Sequence, residues 1–479
     1  MKLFTLATLI VIISVLAGST ECATSTYTEI TKFTTTGTTT TTETTTPTTW
    51  TKTSTTTSTT KGETHRTGSD TVSLAITATG KPYHSNFKNF DCNFTECLAP
   101  ECQCLQDVPP NGMNPVDIPQ FVMITFDGPV TVTNFPYYQK LFDYKNPNNC
   151  SIQSTYFVSH VDSNYKLIHE LYRRGNEIGV HSISKGRNNN QEYWKKLDYK
   201  GWRQEMGGQR KILSKYADIP IDHIRGVRAP NLQTANNVTL NAFVDENFKY
   251  DCSNPSRQGI ISPLFPYTLD YGFQRERDCQ IQSCLKEGEN YTGFWDVPMN
   301  DWDVEYEAQG MKVHRECPMA SACVLLKNDG EVNYHPTSDE IYDLFEYNFD
   351  RFYNGNRAPF PLFLNEEWIH DEVKRDALLR FIQNKLNKHD VFFVSIDEVL
   401  QWMQSPTNTT DYIQKTKQCR SIVETKCGLK DGEKIVEKTQ FKRKCDYEKI
   451  DELNGQSKRM VICDDLHCPL HYPWVNRLE

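Results

Sequence analysis

The stretch Phe121–Gly128, with the sequence FVMITFDG, decides the fold of this chain. Its apolar residues lead into Asp127, and a second run, Ile178–Lys185 (IGVHSISK), leads in the same way into His181. Acidic and histidine side chains at strand ends are how α/β folds build metal sites and general bases. The two runs therefore predict strands that bring Asp127 and His181 to one site.

Outward from these runs, strand-like and helix-like segments alternate along the chain. The apolar runs predict strands at 121–125, 154–159, 177–180, 224–227 and 391–395. The helical patterns predict helices at 164–174, 199–216 and 371–386, and a closing helix over 396–403. This alternation is typical of an α/β fold with a mostly parallel sheet or barrel and outer helices. Functional side chains are then expected at the C-terminal ends of the strands.

The composition divides the chain into four parts. Residues 1–22 have the charged start and short apolar core of a secretory signal peptide. Residues 23–71 are dominated by Thr and predict a disordered, mucin-like stalk, with an unmodified disordered linker as the alternative. Residues 72–404 form the predicted α/β domain. Residues 405–479 predict a small cysteine-rich appendage that binds a partner or caps the barrel.

The cysteines indicate an oxidising compartment. The chain has 16 of them, which in an exported protein favours disulfides over zinc ligands. Four lie within 92–104 and predict a disulfide-pinned entry to the domain; a zinc knuckle is the alternative. Five follow residue 405, so one of these must pair elsewhere: they are Cys419, Cys427, Cys445, Cys463 and Cys468.

Charge and glycosylation signals point to the same location. The net charge of -9 argues against nucleic-acid partners and anionic membranes. After the signal peptide, no stretch approaches the roughly 20 apolar residues of a membrane span. Acceptor sequences for N-glycosylation lie at Asn93, Asn149, Asn237, Asn290 and Asn408. The sequence therefore predicts a secreted glycoprotein.

A series of motifs between Cys92 and Met403 resembles the animal chitin deacetylases of the polysaccharide deacetylase group (NodB homology, carbohydrate esterase family 4). In order, they include ITFD at 124–127, STYFVSH at 154–160, RGNEI at 174–178, VHSI at 180–183, GVRAP at 226–230, WDVPMN at 295–300 and QWM at 401–403. The resemblance implies a distorted (β/α) barrel. It also implies hydrolysis of N-acetyl groups on a polysaccharide.

The resemblance further implies a zinc mechanism. The family uses an Asp-Asp pair as base and metal ligand, two His ligands four residues apart, an Arg that orients the base, and a late His as general acid. Zinc activates water and polarises the amide carbonyl. By position, Asp127 corresponds to the base, His181 to a ligand and Arg228 to the orienting residue, and Asp296 is a further catalytic position.

This sequence departs from the family at several of those positions. Gly128 stands in place of the ligand carboxylate, and Lys185 in place of the second His. Asn231 replaces an aromatic residue, and Asn365 replaces the acid His. One residual ligand gives little zinc affinity, so no cofactor is expected. An ion pair between Asp127 and Lys185 is one hypothesis for the altered site; metal entry through His160 or His223 is another.

A sugar-binding groove is still expected, because aromatic faces stack on sugar rings and polar side chains bind hydroxyls. The residues assigned to it are Pro230, Asn231, Tyr267, Trp295, Asp296, Asn300, Trp302, Leu364 and Trp368. Trp302 and Trp368 are favoured because polar residues surround them.

The sequence therefore predicts a secreted protein without metal catalysis that binds chitin or another N-acetylglucosamine glycan in an extracellular matrix. One alternative is an active deacetylase, either with zinc or with Lys185 as electrophile and Asp127 activating water. The other is a mucin-like matrix scaffold that binds proteins through its cysteine-rich appendage.

Overall fold

The computed structural model describes residues 74–76, 82–84, 92–187, 190–272, 285, 289–308, 310–327, 329–419, 427, 429 and 441–477. The predicted signal peptide (1–22) and Thr-rich stalk (23–71) lie outside these residues. Within them, no helix is both long and apolar enough to cross a membrane.

The strands are short, and most lie in one sheet. In chain order they are β1 (Leu74–Ile76), β2 (Pro82–His84), β3 (Gln120–Gly128), β4 (Ser154–Val158), β5 (Glu177–Val180), β6 (Gly226–Val227), β7 (Tyr250–Asp251), β8 (Pro255–Ser256), β9 (Tyr267–Leu269), β10 (Tyr291–Asp296), β11 (Met299–Asn300), β12 (Trp302–Ala308), β13 (Met311–Cys317), β14 (Phe360–Asn365), β15 (Val391–Phe393), β16 (Lys444–Ile450) and β17 (Gln456–Val461).

The helices alternate with the strands of the main sheet. In chain order they are α1 (Phe135–Gln139), α2 (Tyr165–Arg173), α3 (Gln191–Lys195), α4 (Tyr199–Trp202), α5 (Gly208–Tyr216), α6 (Asn237–Asp245), α7 (Gln258–Ile261), α8 (Ser338–Tyr353), α9 (Glu372–Lys385), α10 (Ile396–Gln404) and α11 (Thr409–Lys415).

The main sheet has nine strands in the order β14-β3-β4-β5-β6-β7-β10-β9, with β15 paired to the start of β3. Neighbouring strands are parallel except for β9, which runs antiparallel to β10. Across the described residues the strand order does not close on itself, so the sheet is an open, distorted barrel. The prediction of a mostly parallel α/β architecture is confirmed.

Burial on both faces explains why the strands read as apolar runs. All residues of β3 from Gln120 to Asp127 are buried, as are those of β4 and β5. A parallel sheet covered on both faces has this continuous pattern rather than alternation. Because strands β3, β5, β6, β7, β10 and β14 run in the same direction, their C-terminal ends meet at one rim of the sheet.

Capping side chains set the helix boundaries near the predicted ones. Asn164 accepts a hydrogen bond from the backbone N–H of Leu167 and begins α2, and Asp371 does the same for Val373 at α9. The predicted helix over 199–216 is one helical segment whose middle turn, Arg203–Gly207, is a π-helix. Such turns frequently occur at functional sites.

Disulfides hold both ends of the domain. The entry segment is closed by Cys92–Cys104 and Cys97–Cys102, and β13 is joined to the loop after it by Cys317–Cys323. In the C-terminal segment, Cys427–Cys463 and Cys445–Cys468 are internal pairs. Cys419 bonds to Cys150, so one of the late cysteines does pair elsewhere, as the odd count predicts.

The C-terminal segment packs against the domain instead of standing apart from it. The Lys166 ammonium pairs with Asp464 at 2.8 Å, and the backbone N–H of Leu429 donates to the Glu170 carboxylate at 3.0 Å. The ring of Tyr472 lies 4.6 Å from that of His160, centroid to centroid, just after β4. The C-terminal segment therefore covers part of the sheet domain next to the rim.

Candidate functional site

The rim of the sheet gathers most of the polar residues that the motifs single out. In register, Asp127 on β3 lies opposite Asn365 on β14, and Val180 on β5 opposite Val227 on β6. His181 and Arg228 directly follow β5 and β6. This register brings the side chains of Asp127, His181 and Arg228 to one rim, as the strand pattern predicts.

Arg228 is the centre of the site. Its side chain is fully buried, and Nη1 donates to Asp127 Oδ1 at 2.7 Å and to Thr125 Oγ1 at 2.6 Å. Nε donates to the carbonyl of Cys252 at 2.8 Å. Burial lowers the pKa of the Arg228 guanidinium, but the charges and hydrogen bonds of Asp127 and Cys252 raise it by more. The net effect is a raised pKa. Arg228 is thus a permanent cation whose counter-ion is Asp127.

Two phenyl rings complete the environment of the guanidinium. The rings of Phe157 and Phe363 each lie 4.3 Å from the Arg228 guanidinium carbon. Arg228 is therefore held by ring faces as well as by hydrogen bonds. This fixes the direction of the Asp127 carboxylate. Of its two oxygens, Oδ1 takes the hydrogen bond from Arg228, and no described residue donates to Oδ2.

His181 is buried beside this pair. It is 3% exposed, and Nδ1 lies 2.9 Å from the backbone oxygen of Arg228. Because a carbonyl can only accept, Nδ1 carries the proton and Nε2 is the basic nitrogen. Burial lowers the pKa of His181 to about 4, so the ring is neutral at physiological pH. Metal-binding histidines are often oriented by such a backbone bond.

Gly128 leaves room that another residue fills. Its φ is +133°, and a β-carbon built there would lie 2.4 Å from Cγ of Glu366. The Glu366 carboxylate accepts from Asn134 Nδ2 at 3.1 Å and lies 3.4 Å from His370 Nε2. The space that a side chain at position 128 would need is therefore occupied by Glu366, the residue that directly follows β14.

Lys185 forms a hydrogen bond with Asn231. Its Nζ donates to Asn231 Oδ1 at 3.1 Å, while Asp127 pairs with Arg228. The charge of Asp127 acts on Lys185 as well, so the hypothesis of an Asp127–Lys185 ion pair stays a prediction. Burial lowers the pKa of the Lys185 ammonium, and the charges of Asp127 and Glu367 act in the opposite direction.

The loop between His181 and Lys185 is held by a residue that sequence reasoning missed. Glu205, in the π-turn, accepts from the backbone N–H groups of Ile183 at 3.1 Å and Ser184 at 2.9 Å, and from the Tyr193 hydroxyl at 2.7 Å. Burial raises the pKa of Glu205, and these hydrogen bonds lower it. A glutamate inside a polar helical pattern gives no signal of this role.

Asn365 ends β14 as a cap rather than as an acid. Its side-chain oxygen accepts from the backbone N–H of Trp368 at 3.1 Å, and its own N–H donates to Ser321 Oγ at 3.3 Å. The residue is exposed at the rim. An amide in this position binds through hydrogen bonds and does not donate a proton in a reaction.

The aromatic groove expected from the sequence is not formed by the assigned side chains. Pro230 is buried, and all of the following are at most 7% exposed: Tyr267, Trp295, Asp296, Asn300, Trp302, Leu364 and Trp368. Trp302 is a core residue whose Nε1 donates to the Pro361 carbonyl at 2.8 Å. The favoured assignment of Trp302 is therefore wrong. Its polar neighbours along β12 point to the opposite face, as alternation in a strand requires.

Two assigned polar residues serve the protein interior. Asn300 bonds both backbone groups of Leu264, at 2.8 and 2.9 Å, and Asp296 accepts from Asn254 Nδ2 at 3.0 Å. Asn231 differs from them because it is only partly buried and lies at the rim. Of the assigned binding residues, Asn231 is the one with access to a ligand.

The residues present at the rim do not fit a zinc centre. Across the described part of the chain, two sets of three or more possible ligands lie close enough to share an ion. These sets are Cys92/Cys97/Cys104 and His169/Cys427/Cys463. Their cysteines are bonded in disulfides, which removes the thiolates that an ion would need. Neither set includes Asp127 or His181.

The other histidines considered as metal ligands are engaged elsewhere. His160 Nδ1 lies 2.5 Å from the Tyr165 hydroxyl, and burial lowers the pKa of His160 to about 3. His223 Nδ1 lies 2.6 Å from the Tyr172 hydroxyl. Neither belongs to one of the two ligand sets, so the described residues give no support to metal entry through them.

Comparison with known proteins gives a consistent set of relatives. The chain is 30% identical to chitin deacetylase 1 of Bombyx mori over 399 residues, covering 80% of this chain and 68% of the relative. It is 32% identical to chitin deacetylase 8 of Bombyx mori over 391 residues, covering 80% and 92%. No family model matches the chain.

A solved structure described as a polysaccharide deacetylase from Mycobacterium smegmatis also aligns with this chain. The two share 15% sequence identity with a TM-score of 0.39, and the alignment covers 60% of this chain and 92% of the other.

Proposed function

Because the chain belongs to the chitin deacetylase family, we propose that it is an extracellular protein that binds chitin or another N-acetylglucosamine polymer and does not hydrolyse it through a metal. The disulfides and the glycosylation sequences favour an extracellular location. The C-terminal segment would bind matrix proteins as further partners.

The observation that carries this proposal is the pairing of Lys185 with Asn231. The ammonium group stands at the family position of the second His ligand and is held there at 3.1 Å from Asn231. An ammonium cannot coordinate a cation, and its charge repels one. Gly128 has no side chain, and Asn365 cannot protonate a leaving amine. The chain thus lacks two metal ligands and the general acid of the family mechanism, while Asp127, His181 and Arg228 are present.

The test is a comparison of binding, metal content and acetate release on the purified full chain. Chitin tetramers should bind, with no stoichiometric zinc and no acetate release above the uncatalysed rate. A variant that restores the family groups, Gly128→Asp/Lys185→His/Asn365→His, should include Glu366→Ala to make room for the new carboxylate. Gain of zinc in that variant supports the proposal; zinc-dependent acetate release by the natural protein contradicts it.

An active deacetylase without a metal is the second candidate. The observation that favours it is the orientation of Asp127 by Arg228, because an oriented carboxylate can accept a proton from water. Lys185 would then supply the positive charge for the developing oxyanion. Acetate release that persists in a chelator and disappears in Asp127→Ala would establish this candidate. If the natural protein releases no acetate, this second candidate is wrong.

A scaffold function without a glycan ligand is distinguished by binding. The C-terminal segment shares hydrogen bonds and a disulfide with the sheet domain, so removing it would disturb both. The full chain is therefore the material to use, with surface variants in the hairpin β16–β17. Failure of the full chain to retain chitin oligomers would favour the scaffold.

A further inference from the structure

We propose that Lys185 and Asn231 make this site selective for the acetylated sugar, so that it binds N-acetylglucosamine more tightly than glucosamine. The inference rests on the proposed glycan binding and adds to it the group that is recognised. It concerns selectivity and requires no chemical step.

The first support is the set of hydrogen-bonding groups at the rim. Asp127 presents a carboxylate whose Oδ1 is taken by Arg228 and whose Oδ2 receives no hydrogen bond from the described residues. Lys185 presents an ammonium, a group with donors and no acceptor. These groups offer one acceptor and one charged donor to a ligand at the rim.

The second support is an amide that has one side unsatisfied. Asn231 Oδ1 faces Lys185, since an ammonium can only donate, so the orientation of the amide is determined. Its Nδ2 is shielded from solvent and finds no partner among the described residues. A shielded donor without an acceptor is unfavourable and would be satisfied by a carbonyl or hydroxyl oxygen of a ligand. Asn231 has φ +53°, a conformation that Asn tolerates better than most residues.

An acetamido group matches these features. It carries one N–H, which Asp127 can accept, and one carbonyl, which Lys185 and Asn231 can bind. A deacetylated sugar carries an ammonium instead, with no acceptor and with a positive charge. The Asp127 charge is already balanced by Arg228 at 2.7 Å, and Glu367 is exposed, where solvent screens its charge. The other carboxylate at the rim, Glu366, is engaged by Asn134 and lies 3.4 Å from His370. Lys185 supplies the positive charge that repels the sugar ammonium.

The experiment measures dissociation constants of a fully acetylated and a fully deacetylated glucosamine tetramer for the purified full chain. We expect the natural protein to bind the acetylated tetramer at least about tenfold more tightly, a modest like-charge effect at a partly buried site. Lys185→Gln keeps a donor for Asn231 without the charge, and should bring the two constants to within about threefold. Lys185→Arg keeps the charge and should retain the preference.

The controls separate the outcomes. Lys195→Met removes a charge from exposed helix α3 and should leave the ratio unchanged. Lys185→Met serves as a second neutral variant should the Gln variant unfold, with thermal unfolding checked for each protein. If a folded neutral variant keeps the natural ratio of the two dissociation constants, the proposed selectivity for acetylated sugar is wrong, while glycan binding is unaffected. Binding of neither tetramer by the natural protein overturns both proposals.

Discussion

The side chain of Glu366 lies against the α-carbon of Gly128, so that a β-carbon at position 128 would come within 2.4 Å of Glu366 Cγ. Gly128 ends β3, and Glu366 directly follows the neighbouring parallel strand β14. Asn134 holds the Glu366 carboxylate in place from the segment that follows β3. Glu366 therefore fills the space that a side chain at position 128 would need.

The first prediction follows from that contact. Gly128→Asp alone should lower the free energy of unfolding by roughly 2 kcal/mol, because it combines a steric overlap with an L-residue at φ +133°. Gly128→Asp/Glu366→Ala should recover part of this loss, since the overlap is removed and the backbone strain remains. Chemical denaturation measures both, with Glu366→Ala as the control. A single Gly128→Asp variant as stable as the natural protein would contradict the packing argument.

The second prediction concerns the buried ion pair. Arg228→Met should lower the free energy of unfolding by about 3 kcal/mol, because Asp127 would remain almost buried without its counter-ion. The double variant Asp127→Asn/Arg228→Met should be more stable than Arg228→Met, since no unpaired charge is left. Urea titrations of the three proteins provide the comparison. If the double variant is the least stable, the two residues do not act as a charge pair.

A third prediction concerns pH and the buried carboxyl of Glu177. Burial, followed by the nearby charge of Asp397, raises the pKa of Glu177 from 4.5 to about 7. A raised pKa in the folded state means that its stabilising contribution is present below pH 4.5 and is lost as the pH rises to about 7.

The comparison protein for that prediction is Glu177→Gln, which cannot titrate. Between pH 4.5 and 7, the natural protein should lose stability relative to this variant by at most about 3 kcal/mol. Denaturation midpoints at several pH values measure the difference. Asp251, with a pKa raised by burial to about 7, titrates in both proteins and cancels. Parallel pH profiles would show that Glu177 is not responsible.

A fourth prediction addresses Glu205 in the π-turn. Glu205→Leu should release the loop from His181 to Lys185, because two backbone N–H groups lose their acceptor. We expect a loss of roughly 2 kcal/mol in stability and weaker binding of acetylated sugar oligomers. Tyr193→Phe removes one of the hydroxyl bonds to Glu205 and should have a smaller effect. Equal effects of the two substitutions would argue against a loop-holding role.

Much of the fold was predictable because its signals are local. The apolar runs at 177–180 and 396–403 coincide closely with β5 and α10, and the capping residues Asn164 and Asp371 lie at the expected helix starts. The hairpin β12–β13 was not predicted, since its pattern of charged residues resembles that of a loop.

The sequence by itself determined the chemical content of this protein. A glycine at 128, a lysine at 185 and an asparagine at 365 exclude carboxylate and imidazole ligands there whatever the fold, and an odd number of late cysteines requires one pairing outside the segment, met by Cys150–Cys419. Only the tertiary structure decided which groups meet: Arg228 with Asp127, Lys185 with Asn231, Glu366 with Gly128. The physical reason is that side-chain identity and local periodicity are properties of short segments. Contacts between residues dozens to hundreds of positions apart depend on strand register and on the space left by packing.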